Sequence, residues 1–254
     1  MTRHRLFRTF IPTHQRIVAS LVESLAGLVD HTVREAFSGA HLTAVWCERL
    51  GLASWPPFVS ERDGPAAPVH AGLSCKERAA RDLPSSDPLR ATVGLAALNA
   101  LLPVPQDLET GVKAQDLIAS AGRGKSVAVI GHFPFVARLR DTCQNVWVLE
   151  LRPRPGDLPA SEAERVLPLA DVVAVTGTTL ANGTLGGLLE VCSPGALKIL
   201  LGPSTPLTPV LFDFGLNVLA GVRVWDPLRV REGILSGRPY RKLKGLEPVL
   251  MRRR

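Results

Sequence analysis

From about residue 110 onward the chain alternates short apolar runs, rich in β-branched residues, with segments of helical periodicity. No other feature constrains the fold as strongly. The runs are Val127–Ile130, Val146–Leu151, Val172–Thr176, Leu197–Leu201 and Val218–Val224. Between them, helical patterns fall at Ala114–Ala121, Pro134–Asp141, Ser161–Leu167, Thr184–Cys192 and Thr205–Phe214. Strands apolar on both faces need cover above and below, and helices linking them in this order give a parallel sheet.

The residues before this alternation read differently. A helix is predicted over Pro12–Leu25, with Ile17, Leu21, Leu25 and Leu28 as its apolar stripe. His31–Phe37 and Leu42–Trp46 read as two strands about a Ser38-Gly39 turn, and Pro56-Pro57 and Asp63–Gly72 as loop. Helical patterns return at Ser74–Leu83 and Pro88–Leu102. The second is nearly uncharged and rich in small residues, as a helix packed closely against neighbours requires, and a homodimer contact through it is one expectation. Pro103 and Pro105 stop it, and Gln106–Gly111 is the linker. The expected fold class is α/β: an α+β domain over residues 1–107, then a parallel-sheet domain over residues 108–254.

Ligands of open α/β sheets sit outside the carboxyl ends of the strands, so the residues after each strand are the candidates. After Val172–Val175 the polarity switches abruptly: Thr176, Gly177, Thr178, Thr179, Asn182 and Thr184 crowd hydroxyls and an amide into one segment, with Asn182 or Thr184 as the expected N-cap of the next helix. Gly131, His132, Phe133 and Pro134 follow the first strand, and Glu150 ends the second, where a ribose-binding acid would sit. The glycine fingerprint of a dinucleotide site is missing, however, and Pro134 removes a backbone donor, so NAD is disfavoured. Gly202, Pro203, Ser204, Thr205 and Pro206 form a stiff hydroxyl-bearing loop after the fourth strand. Asn99 either satisfies a core carbonyl or faces a site between domains. His132 either acts as acid, base or metal ligand, or fixes its loop.

The formal charge of +7 owes much to terminal arginines (Arg3, Arg5, Arg8 and Arg252–Arg254), with no basic stripe carrying interleaved aromatics, which disfavours nucleic acid as a partner. Cys47, Cys75, Cys143 and Cys192 lie far apart with neither CxxC nor zinc spacing. The Arg-rich start faintly resembles a transit peptide but has no apolar core segment, and no run suits a membrane span; a cytoplasmic protein is expected.

IGHFPF (Ile130–Phe135), VLELRPRPGDLP (Val148–Pro159), LPLADVVAVTGTTLANGT (Leu167–Thr184) and LLGPSTPLTPVLFDFG (Leu200–Gly215) resemble the family described as putative heavy-metal chelation, long a domain of unknown function. The resemblance continues through Leu219–Pro227. It implies an enolase-N-terminal-like domain followed by a Rossmann-like one, with a ligand cleft at their junction lined by Gly131–Pro134, Glu150, Thr176–Thr179, Asn182 and Gly202–Pro206, and Asn99 opposite. His132 and Glu150, with Asp171, are the metal-ligand candidates, a hard or borderline set suited to a divalent metal held with substrate. The expected function is binding of a small polar ligand, a metal or a metal-associated metabolite. The alternative is a lyase or transferase using His132 as acid–base.

Overall fold

The computed structural model describes residues 12–55 and 72–254. The amino-terminal arginines, Pro56-Pro57 and nearly all of the Asp63–Gly72 loop lie outside that range.

Helix α1 (Thr13–Glu23) buries Ile17, Val18 and Leu21, the stripe that its spacing dictates. Strands β1 (Glu35–Ser38), β2 (Leu42–Trp46) and β3 (Leu50–Ser54) then form a small antiparallel sheet in that order. The first strand is shorter than its sequence suggests, and β3 is an addition that Gly51 and the brevity of the run conceal. Helix α2 (Cys75–Asp82) starts in a capping box: Glu77 N–H donates to Ser74 Oγ, and Ser74 N–H donates to the Glu77 carboxylate. Helix α3 (Pro88–Leu101) opens with Pro88 at N1 and the Asp87 side chain accepting from Leu89 N–H. From Ala91 to Leu102 it is buried throughout except for half-buried Asn99. That stretch is enclosed within its own chain, so it offers no face to a second copy, contrary to the dimer contact expected of it.

The second half is built on an eight-stranded sheet of order β4-β11-β10-β9-β8-β5-β6-β7. Its strands are β4 (Glu109–Thr110), β5 (Ser126–Ile130), β6 (Asn145–Glu150), β7 (Leu158–Pro159), β8 (Val172–Thr176), β9 (Leu197–Leu201), β10 (Val218–Val224) and β11 (Leu246–Arg252). From β10 across to β7 every pairing is parallel; β11 and β4 add an antiparallel edge. The chain runs outward from β5 through β6 and β7, then returns to the other side of β5 for β8, β9 and β10. The topological switch therefore lies between β5 and β8, where open α/β sheets place their ligands.

Alternation along each strand builds two cores. Ala128, Ile130, Val173 and Val175 face one side, with α1, α3, α6 (Ala163–Val166) and α8 (Leu185–Val191). Val127, Val129, Val172 and Ala174 face the other, with α4 (Ala114–Ala121) and α5 (Val136–Arg140). The amino-terminal half thus shares one continuous core with the large sheet. A third, smaller cluster joins the antiparallel sheet to α9 (Pro227–Leu235) through Phe37, Leu52, Val230 and Ile234. No helix of the described residues is long and apolar enough to cross a membrane.

Two local expectations need correction. The helix predicted from Thr205 begins only at Pro209, as a 3₁₀ segment ending at Phe214. Pro209 forces the preceding Thr208 into extended backbone (φ −139°, ψ 138°), which bars any earlier start. Similarly, Thr178–Ala181 is not loop but a one-turn helix, α7. Thr184 does hold the position before α8, yet its hydroxyl caps nothing in that helix.

Candidate functional site

A cavity of about 640 Å³ opens at the carboxyl ends of β5, β6 and β8. Its walls come from Gly131, His132 and Phe133 after β5, Glu150, Leu151 and Arg154 at and after β6, and Thr176, Thr178, Thr179, Asn182 and Thr184 after β8. Trp55, just beyond β3, closes it from the amino-terminal half, and Leu188 and Val191 of α8 give it an apolar floor.

Gly131 makes the first turn possible. Its φ of +103° belongs to glycine, and a Cβ there would stand 3.2 Å from Thr176 Cβ. The strand ends can therefore approach each other only with glycine at this position. His132 lies at the rim, with Nδ1 3.4 Å from Asp157 Oδ2. Asp157 is 5 % exposed and also accepts from Arg154 N–H at 3.1 Å. A buried carboxylate behind an imidazole orients the ring, the second-group logic of acid–base catalysis.

The threonine-rich turn is largely self-satisfied. Thr176 and Thr178 hydroxyls pair at 3.1 Å, and Thr179 Oγ1 donates to Thr176 O at 2.7 Å. Asn182 Oδ1 accepts from both the backbone N–H and the hydroxyl of Thr184, at 3.2 and 2.7 Å. These bonds fix the turn and leave the Asn182 amide nitrogen, which donates to nothing among the described residues, available at the cavity wall. Glu150 is half-buried and accepts from Leu151 N–H at 3.1 Å.

The loop after β9 serves a different place. Because β8 and β9 are neighbours, Gly177 abuts it: a Cβ on Gly177 would lie 2.9 Å from Thr205 N and 3.0 Å from Ser204 Cβ. But Ser204 is 1 % exposed, and its hydroxyl accepts from Ser54 N–H at 2.7 Å. Asn99 Nδ2 donates to Leu52 O at 2.9 Å and to Ser204 O at 3.4 Å. Asn99, Ser204 and the β3 backbone thus form a seam between the two halves, the core-amide alternative for Asn99. Asn99, Pro203 and Thr205 line a separate space of about 250 Å³. Gly202 and Pro134 line a third on another face, and Pro206 is buried. Of the predicted ligand residues, then, those after β5, β6 and β8 (Pro134 and Gly177 excepted) share one cavity, and those at 202–206 and Asn99 do not.

Asp171 cannot join a metal site there. It stands at the amino end of β8 and accepts from Ser126 N–H at 2.9 Å. Among the described residues no group of three or more His, Cys, Asp and Glu is placed to hold a metal ion. Sequence reasoning missed Trp55 and Asp157. Asp157 carried a signal, a lone carboxylate in the GDLP turn of a shared motif; Trp55 carried none, because only the docking of the two halves brings it to the sheet.

Comparison with known proteins agrees with this architecture. Residues 113–247 match the family model DUF364 and residues 22–102 match DUF4213, both described as "putative heavy-metal chelation". An uncharacterized protein of Methanocaldococcus jannaschii is 33 % identical over 149 residues, 56 % of this chain; the chain spans 58 % of that relative's length. A crystal structure of a DUF364 protein of unknown function from Desulfitobacterium hafniense superposes with a TM-score of 0.82 at 28 % identity, covering 94 % of this chain and 99 % of that one. A second, from Pyrococcus horikoshii, shares the fold at 21 % identity and a TM-score of 0.77, covering 95 % of this chain and all of the other. With more than half its length matched by one model, the chain belongs to the DUF364 family.

Proposed function

We propose that the chain binds a small polar ligand, a metal-associated metabolite included, in a cleft between an enolase-N-terminal-like unit (residues 1–107) and a Rossmann-like unit (residues 108–254). The observation that carries this reading is the convergence of three strand-end loops and Trp55 on one cavity at the topological switch. Glu150 and Arg154 offer opposite charges, and the Asn182 amide offers a donor. The donor set does not fit a bare ion, since His132 and Glu150 are too few. A chelate that brings its own oxygens or nitrogens fits better, with the protein recognising the organic shell. Crystals soaked with divalent metals and polar metabolites, then calorimetry on Asn182→Ala and Glu150→Ala, test the assignment. Binding should weaken in both variants; unchanged affinity in both removes the site.

One observation favours turnover as a second reading: the pairing of His132 with buried Asp157. In a lyase or transferase His132 would move the proton while Asp157 holds the ring. Activity that survives His132→Ala would defeat it.

A further inference from the structure

The face of the large sheet opposite the cleft carries a cavity of its own, of about 400 Å³, where β9 ends beside β10 and β11. Its floor is apolar: Leu201, Ala220 and Leu250 are buried and belong to the core under α4 and α5. One wall is aromatic. Phe133 and Phe135 stack on each other there, with ring centroids 5.3 Å apart and 26° between the planes. Phe133 stands between this space and the cleft and lines both.

The charges around it are all of one sign. Lys113 precedes α4, Arg138 lies on α5 and Arg241 lies on the 3₁₀ turn Tyr240–Lys242, so three separate segments bring cations to one space. No Asp or Glu of the described residues lines it. Arg138 is offset by Asp116, 3.3 Å away on the exposed outer side. Among the described residues no carboxylate pairs with Lys113 or Arg241. Two uncompensated cations beside an apolar floor concentrate positive potential in the cavity. Tyr240 is half-buried in the same wall, and burial raises its phenol, so its O–H stays a donor at neutral pH.

We propose that this cavity binds a planar aromatic ring carrying a phosphate monoester. Charge selects the head group. A phosphate monoester carries about −1.5 to −2 at neutral pH and so matches two unpaired cations, whereas a carboxylate leaves one of them over. Arg241 offers a planar fork suited to two phosphate oxygens, Lys113 a compact charge, and Tyr240 a neutral donor. The walls select the body. A ring gains by offset stacking on the Phe133–Phe135 pair and by covering Leu201 and Leu250. The volume falls within the range of small-molecule sites. Because the cavity lies across the sheet from the cleft, it stands or falls separately from the function proposed there.

The test is calorimetric titration of the full chain with phenyl phosphate. Saturable binding of one molecule per chain is expected, weakening as salt is raised. Inorganic phosphate, which lacks the ring, and benzoate, which lacks the second charge, should each bind about tenfold more weakly or not at all. Lys113→Gln and Arg241→Gln lie at exposed positions and leave the fold intact; each should weaken binding about three- to tenfold, and the double change Lys113→Glu with Arg241→Glu should abolish it. Glu150→Ala alters a cleft wall and should leave phenyl phosphate binding unchanged. The proposal is overturned by no saturable binding, by inorganic phosphate or benzoate binding as tightly as phenyl phosphate, by binding that survives the double charge reversal, or by loss of binding in Glu150→Ala.

Discussion

Ser204→Ala separates a structural role from a ligand-binding one at a residue whose sequence context suggests the latter. The hydroxyl is buried and accepts from Ser54 N–H at 2.7 Å, while the Ser204 carbonyl accepts from Asn99 at 3.4 Å. Removing the acceptor strands a half-buried backbone donor, at a cost of about 1–2 kcal/mol, the lower part of the range for a lost partner because water can reach Ser54. For a chain of this size that lowers the melting temperature by roughly 2–8 °C. Ser54 adjoins Trp55, the cavity wall, but Trp55 is held independently by Nε1 to Thr43 Oγ1 at 2.9 Å and by its N–H to His41 O at 3.1 Å. Ligand affinity should therefore change by no more than about threefold, near 0.65 kcal/mol. A double-mutant cycle with Asn99→Ala, read by chemical denaturation, should show coupling of at least about 0.5 kcal/mol, because both side chains serve one seam. A variant of parental stability that loses cleft binding would refute the seam and return Ser204 to the site.

Asp82 is 2 % exposed and meets Arg78, Arg81 and Arg90 at 3.0, 2.9 and 2.8 Å, so Asp82→Asn should cost about 3–5 kcal/mol in urea unfolding at neutral pH, since Arg78 is itself buried. Burial pushes the Asp82 carboxyl up, but Arg81, Arg90 and Arg78 outweigh it and hold it below its ordinary 3.8. Its stabilisation is thus fully present above about pH 3.8 and lost as pH falls through the lower folded value; the acid limb of the stability profile should flatten in Asp82→Asn. Gly131→Ala forces a side chain into positive φ against Thr176, at about 1–3 kcal/mol by thermal melting, and should weaken cleft binding.

The parallel sheet was legible because its strands are buried on both faces and therefore carry uninterrupted apolar runs: Val172–Thr176 and Leu197–Leu201 agree with the structure at both ends. β11 was not, since Pro248 pairs opposite Val222 in a strand that ends in arginine, and neither composition nor alternation marks it. The cavity was legible in its Gly131, Glu150 and Asn182 walls because chain direction alone sends the ends of parallel strands to one rim. The fate of a hydroxyl is not decided that way. Thr178 and Ser204 are alike in sequence, but Ser204 meets a donor from β3, 150 residues away, and only packing of the two halves makes that bond.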